Sequence, residues 1–151
     1  MKTAINFYQI DSDEGFAKSV APLLLKILEE KINALILVKN NRLLKELDDG
    51  LWSYGRNKFI PHVIVGEKDF NHIPLQRQPI LLSSAEKNDN GAKYLLLFEA
   101  CDLDFLSKFE KVFYFHESQN LDTAKNFASS AKSKADKISF YRKVEGKWEK
   151  N

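Results

Sequence analysis

Three histidines, one cysteine, a short Gly-x-x-Lys-Ser turn and many carboxylates are the residues of this chain that could carry chemistry. The histidines are His62, His72 and His116. No two of them stand at the spacing of zinc ligands, so no metal site is expected. Cys101 is alone, so no internal disulfide can form, which fits a reducing compartment. It follows an apolar run, and that setting predicts a packed thiol rather than a nucleophile. No Gly-x-Ser-x-Gly elbow is present, and nothing marks a pair of carboxylates as acid and base. "GFAKS" (15–19) is similar to the end of a phosphate-binding loop, but Ala17 stands where that loop needs glycine before its lysine. Asp11, Asp13 and Glu14 would repel phosphate. The three close glycines of a dinucleotide site are also missing. Neither catalytic residues nor a cofactor site are expected.

The elements that would position these residues alternate in type. "NFYQI" (6–10) predicts a strand. Phe16, Val20, Leu23, Leu24 and Ile27 then recur at helical spacing, with Pro22 among them. Proline costs about 3 kcal/mol in a helix interior, so the helix either kinks there or starts near Ser19. "ALILV" (34–38) predicts a strand covered on both faces. Leu43, Leu44, Leu47 and Leu51 line one face of the next helix. Strands are expected over 59–65, 79–84, 94–100 and 111–117, the first with Pro61 at an edge or bend. A helix is expected over 119–135 and a terminal hairpin around Gly146. The rest of 66–93 reads as loops. This alternation implies an α/β three-layer sandwich with a mostly parallel sheet, nucleotide-binding-like but without the phosphate loop.

With 151 residues, 44% of them hydrophobic, the chain is expected to form one domain over 1–151. The net charge of +2 does not by itself imply nucleic acid. Residues 111–151 carry nine Lys/Arg against five Asp/Glu, a local +4 that leaves −2 for the rest. That quarter can attract an acidic partner or form a solvated basic face. "MKTAINFYQIDSDEG" does not read as a signal peptide, and no apolar run approaches the roughly 20 residues of a membrane span. A soluble, cytoplasmic protein is expected.

The stretch "LLKELDDGLWSYGRNKFIPHVIVGE" (43–67) carries a resemblance. Leu47-Asp48, Leu51-Trp52, Phe59-Ile60-Pro61-His62 and Gly66-Glu67 resemble the pattern of the chi subunit of bacterial DNA polymerase III. "INFYQI", the Pro-Leu-Leu stretch at 22–24 and "SFYRKVEGKWE" are similar to that family elsewhere in the chain. The resemblance implies a non-catalytic accessory subunit of the replicative holoenzyme. Such a subunit pairs with the psi subunit of the clamp loader and binds the acidic C-terminal tail of single-stranded DNA-binding protein. It also implies that psi docks on Trp52, Phe59, Pro61 and His62. The residues alone leave other readings: Trp52 can cap the core, and His62 can be a structural hydrogen bond.

The implied tail surface lies on the last long helix and its surroundings, at Lys125, Asn126, Ser129, Lys132 and Arg142. Here the chain departs from the family. Asp122, Asn126, Ser129 and Ser130 stand where members carry basic and aromatic residues. Lys125, Lys132, Lys134, Lys137 and Arg142 can rebuild the cationic pocket, or simply form a solvated face. Two rival functions are a small α/β enzyme with unrecognised residues and direct nucleic-acid binding through the basic C-terminal quarter.

Overall fold

Apolar runs and amphipathic stretches fold as the strands and helices of one eight-stranded sheet and its covering layers. The computed structural model describes residues 3–11, 14–55, 59–66 and 74–151. The order is β1 (Ala4–Gln9), α1 (Gly15–Glu29), β2 (Ala34–Leu37), α2 (Asn41–Trp52) and β3 (Val63–Ile64). Then come β4 (Ile80–Ser83), β5 (Tyr94–Leu97), α3 (Leu103–Leu106), β6 (Lys111–His116), α4 (Leu121–Ala131), β7 (Lys137–Val144) and β8 (Lys147–Lys150). Across the sheet the strands run β3-β4-β2-β5-β6-β1-β7-β8. Every pairing is parallel except β7 with β8.

Alternation along each central strand sends its side chains to two cores. Ile5, Phe7, Leu35, Leu81, Leu95, Val112 and Tyr114 pack with α3 and α4. Ala34, Ile36, Ile80, Leu82, Leu96, Phe113 and Phe115 pack with α1 and α2. The result is the expected three-layer α/β sandwich with a largely parallel sheet. Phe7 fixes the centre of the first core, stacked 4.8 Å from Phe140 and tilted 4.9 Å from Tyr114. Such aromatic pairs add about 0.5–1.5 kcal/mol beyond their buried area.

Several local expectations change. The strand expected over 59–65 shrinks to Val63–Ile64. Pro61 has no N–H for a ladder, and the Ile60 carbonyl is taken by the His62 ring. Helix α1 does not wait for Ser19; it starts at Gly15 and runs through Pro22, which sits on the exposed side. The helix expected over 119–135 is shorter, a 3-10 turn at Ser118–Asn120 followed by α4. Helix α3 had no expectation; its N-cap Asp102 accepts from the Phe105 N–H at 3.0 Å. The terminal hairpin turns at Glu145 and Gly146, both at positive φ, as a type I′ turn requires.

Helices α1 and α2 cross where Gly50 lies against Ala17. A Cβ added at Gly50 collides with the Ala17 Cβ. Gly50→Ala improves helix propensity by about 1 kcal/mol yet overpacks this crossing. We expect a net loss of about 1–3 kcal/mol in urea unfolding, restored in part when Ala17→Gly is added. An increase in stability from Gly50→Ala alone would refute the tight crossing.

Candidate functional site

Helix α2 is set by its cap and its stripe. The Asn40 side chain accepts from the N–H groups of Arg42 and Leu43 at 2.9 and 3.1 Å. Leu47 and Leu51 are buried against the sheet, with Leu43 and Leu44 partly so. This orientation leaves Asp48 and Trp52, four residues apart, adjacent on one side of the helix. The returning segment 59–62 lies across them. His62 Nδ1 lies 2.8 Å from the Ile60 carbonyl oxygen and Nε2 lies 2.8 Å from Asp48 Oδ1, so each ring nitrogen faces an acceptor. The same ring lies 4.4 Å from the Trp52 ring, and Trp52 lies 5.6 Å from Phe59.

The outcome is a small aromatic shelf. Trp52 is 48% exposed and Phe59 is 65% exposed, the two exposed large hydrophobic residues among those described. Isolated apolar residues on a surface mean little, but two adjacent rings on a fixed base make a patch. Pro61 is partly buried. His62, expected on the same surface, is instead buried at 3% exposure and supports the shelf from behind. Sequence reasoning missed Asp48 as its partner, although both belong to the quoted pattern. Arg56, Asn57 and Lys58 of the intervening loop, Glu67 after Gly66, and His72, lie outside the described residues.

The second expected surface is less assembled. Helix α4 buries Ala124, Phe127, Ala128 and Ala131. Lys125, Ser129 and Lys132 follow one another at four- and three-residue steps on its exposed side, with Asn126 also exposed. On β7, Ile138 and Phe140 pack into the α4 core, so alternation puts Arg142 on that face too. None of the described ion pairs involves Lys125, Lys132 or Arg142. Lys134 is tied to Asp104 at 3.1 Å. No described aromatic stands among the exposed residues of α4.

Chemistry elsewhere is sparse. Gly15, at φ 76°, opens α1 where a phosphate loop would lie. The cavity there, about 390 Å³, is lined by Glu14, Lys18 and Glu46, with Glu14 paired to Lys143 at 2.7 Å. Among the described residues no three His, Cys, Asp or Glu side chains gather as a metal site, and no helix is long and apolar enough to cross a membrane. Burial pushes the Cys101 thiol up to about 12, with Glu86 adding to the shift. Cys101 packs against the α3/α4 core, as a structural thiol does.

The sequence matches a family model described as DNA polymerase III chi subunit, HolC, over residues 1–132. It is also 32% identical over 92 residues to a Rickettsia prowazekii (strain Madrid E) protein described as probable DNA polymerase III subunit chi. That alignment covers 61% of this chain and 53% of the relative, so the chain spans about half the length of the relative it matches.

Because the thiolate is the reactive form, Cys101 should react with a disulfide reagent at pH 8 about a hundredfold or more slower than a free thiol. Denaturant should abolish the difference. Rapid labelling of the native protein would contradict the packed setting.

Proposed function

The chain belongs to the DNA polymerase III chi subunit family, and from that premise we propose that it is a non-catalytic accessory subunit linking the clamp loader to single-stranded DNA-binding protein. It joins the clamp loader through a psi subunit. The observation that carries the reading is the pair of exposed rings, Trp52 and Phe59, held side by side on the Asp48–His62 base. Large rigid aromatics supply much of the energy of protein interfaces, because they shed water at small entropic cost. The motif that carries the family resemblance is the same stretch that holds these rings. Such a subunit works in the cytoplasm and needs no cofactor of its own.

The tail of single-stranded DNA-binding protein is assigned to the α4 side, at Lys125, Asn126, Ser129, Lys132 and Arg142. Support comes from the exposed cations and from their common face with Arg142. Attraction of this kind acts through complementary charge and weakens with salt.

Co-expression tests the first surface. Trp52→Ala with Phe59→Ala should abolish co-purification of psi while the chain still unfolds cooperatively. Retention of psi by this variant would refute the docking surface. Capture of tailed single-stranded DNA-binding protein tests the second. Lys125→Ala with Lys132→Ala should lower capture several-fold at low salt. Unchanged capture would remove the lysines from the tail site. Tight, salt-dependent binding of bare single-stranded DNA would favour the nucleic-acid module instead.

A further inference from the structure

The longer open edge of the sheet belongs to β8. In the described order β8 stands at one end and β3, with only two residues, at the other. The pairing of β7 with β8 sets which main-chain groups of β8 are free. Val144 faces Lys147 across the two-residue turn, Lys143 faces Trp148, and Arg142 faces Glu149. In such a hairpin the pair flanking the turn exchanges hydrogen bonds, and every second pair after it does the same. Lys147 and Glu149 thus turn their N–H and C=O groups to β7. The Asn151 N–H continues the pattern, donating to the Phe140 carbonyl at 2.8 Å. Trp148 and Lys150 turn theirs outward, where no described strand receives them. The side chains are sorted as well. Trp148 lies on the α1 face, where it meets Tyr8 edge-on at 5.0 Å. With Tyr8 and Phe115 it floors a cavity of about 390 Å³ between α1 and the hairpin, rimmed by Lys18, Lys26 and Lys143. Alternation puts Lys147 and Glu149 on the other face, both exposed, and neither belongs to a described ion pair.

We propose that a second copy of this chain pairs with this edge, β8 against β8, antiparallel about a two-fold axis at Trp148. An unpaired edge is a template for another strand, and a two-fold contact must be complementary to itself. The backbone restricts the register, because outward-facing residues must oppose outward-facing residues. With Trp148 opposite Trp148, Lys147 of each copy stands opposite Glu149 of the other, and Lys150 stands opposite Gly146. Sliding the strands by two residues sets Lys147 opposite Lys147, or Glu149 opposite Glu149. Opposite charges facing each other across an antiparallel pair stabilise it and like charges destabilise it, so charge selects the register centred on Trp148. Lys147 and Lys150 alone would guard this edge against pairing, but Glu149 between them makes it self-complementary. The two Trp148 rings meet on the α1 face and extend the aromatic floor across the axis. A net charge of +2 per chain opposes the contact only weakly. The ladder is short, so the dimer is one that forms at high concentration.

This inference goes beyond the proposed function. The aromatic shelf adjoins β3, at the opposite end of the sheet from β8, so each copy keeps its shelf free. Sedimentation equilibrium of the full-length chain is the test, and a reversible monomer–dimer equilibrium is expected. Lys147→Glu alone, or Glu149→Lys alone, should weaken the dimer about tenfold or more, since each sets like charges opposite one another on both sides of the axis. Both positions are exposed, so thermal unfolding should stay cooperative in each variant. An equimolar mixture of the two variants should associate again, because two glutamates on one edge then face two lysines on the other. Trp52→Ala with Phe59→Ala should leave the dimer unchanged. A monomer at every concentration up to about 1 mM would overturn the proposal. So would single charge variants that associate as the unaltered chain does, or a mixture no stronger than its components. Loss of the dimer in the shelf variant would also overturn it, by moving self-association to the exposed rings. Co-purification of psi is read separately, so the proposed function stands or falls on its own.

Discussion

Everything in this molecule follows from a parallel sheet that must be covered on both faces. Parallel neighbours cannot be joined by a tight turn, so each crossover has to travel over the sheet. Helices α1 and α2 cover one face, α3 and α4 the other. The fully buried strands β2, β4 and β5 have apolar or small residues at every position, because neither side meets water. Only the β7–β8 hairpin escapes this rule, and it does so by being antiparallel.

The same constraint creates the aromatic shelf. Strand β3 lies at the sheet edge and has only two residues. The last turn of α2 leads toward that edge, where there is little sheet left to cover. Leu47 and Leu51 still find the core, but Trp52, one residue later, does not. Its exposure is made tolerable and rigid by the His62 ring behind it. A buried imidazole with an acceptor 2.8 Å from each nitrogen avoids the cost of an unpaired N–H, about 1–3 kcal/mol. A polar contact inside the fold thus holds an apolar group outside it.

Charge is divided over the two faces in different ways. On the α4 side the cations stand on a helix surface without an aromatic among them. On the α1 side they surround an aromatic floor built by β1, β6 and β8. The two faces thus carry their cations in different settings, one on a bare helix surface and one around aromatic rings.

The sequence by itself determined the strand–helix alternation, the family and the absence of a phosphate loop, because these rest on local periodicity and short motifs. It identified Trp52, Phe59 and His62 as one group but left open whether each faced in or out. That choice depends on where α2 meets the sheet edge, which no local pattern encodes. It missed the Asp48–His62 bond, which spans fourteen residues, and helix α3, whose four residues are too few for a periodic signal. It also missed the cavity. Tyr8, Lys18, Phe115 and Trp148 are scattered along the chain and meet only because β1 pairs with both β6 and β7, and β7 carries β8. Tertiary structure decided which aromatics became floor, shelf or core, because burial is a property of packed layers rather than of residues in a row.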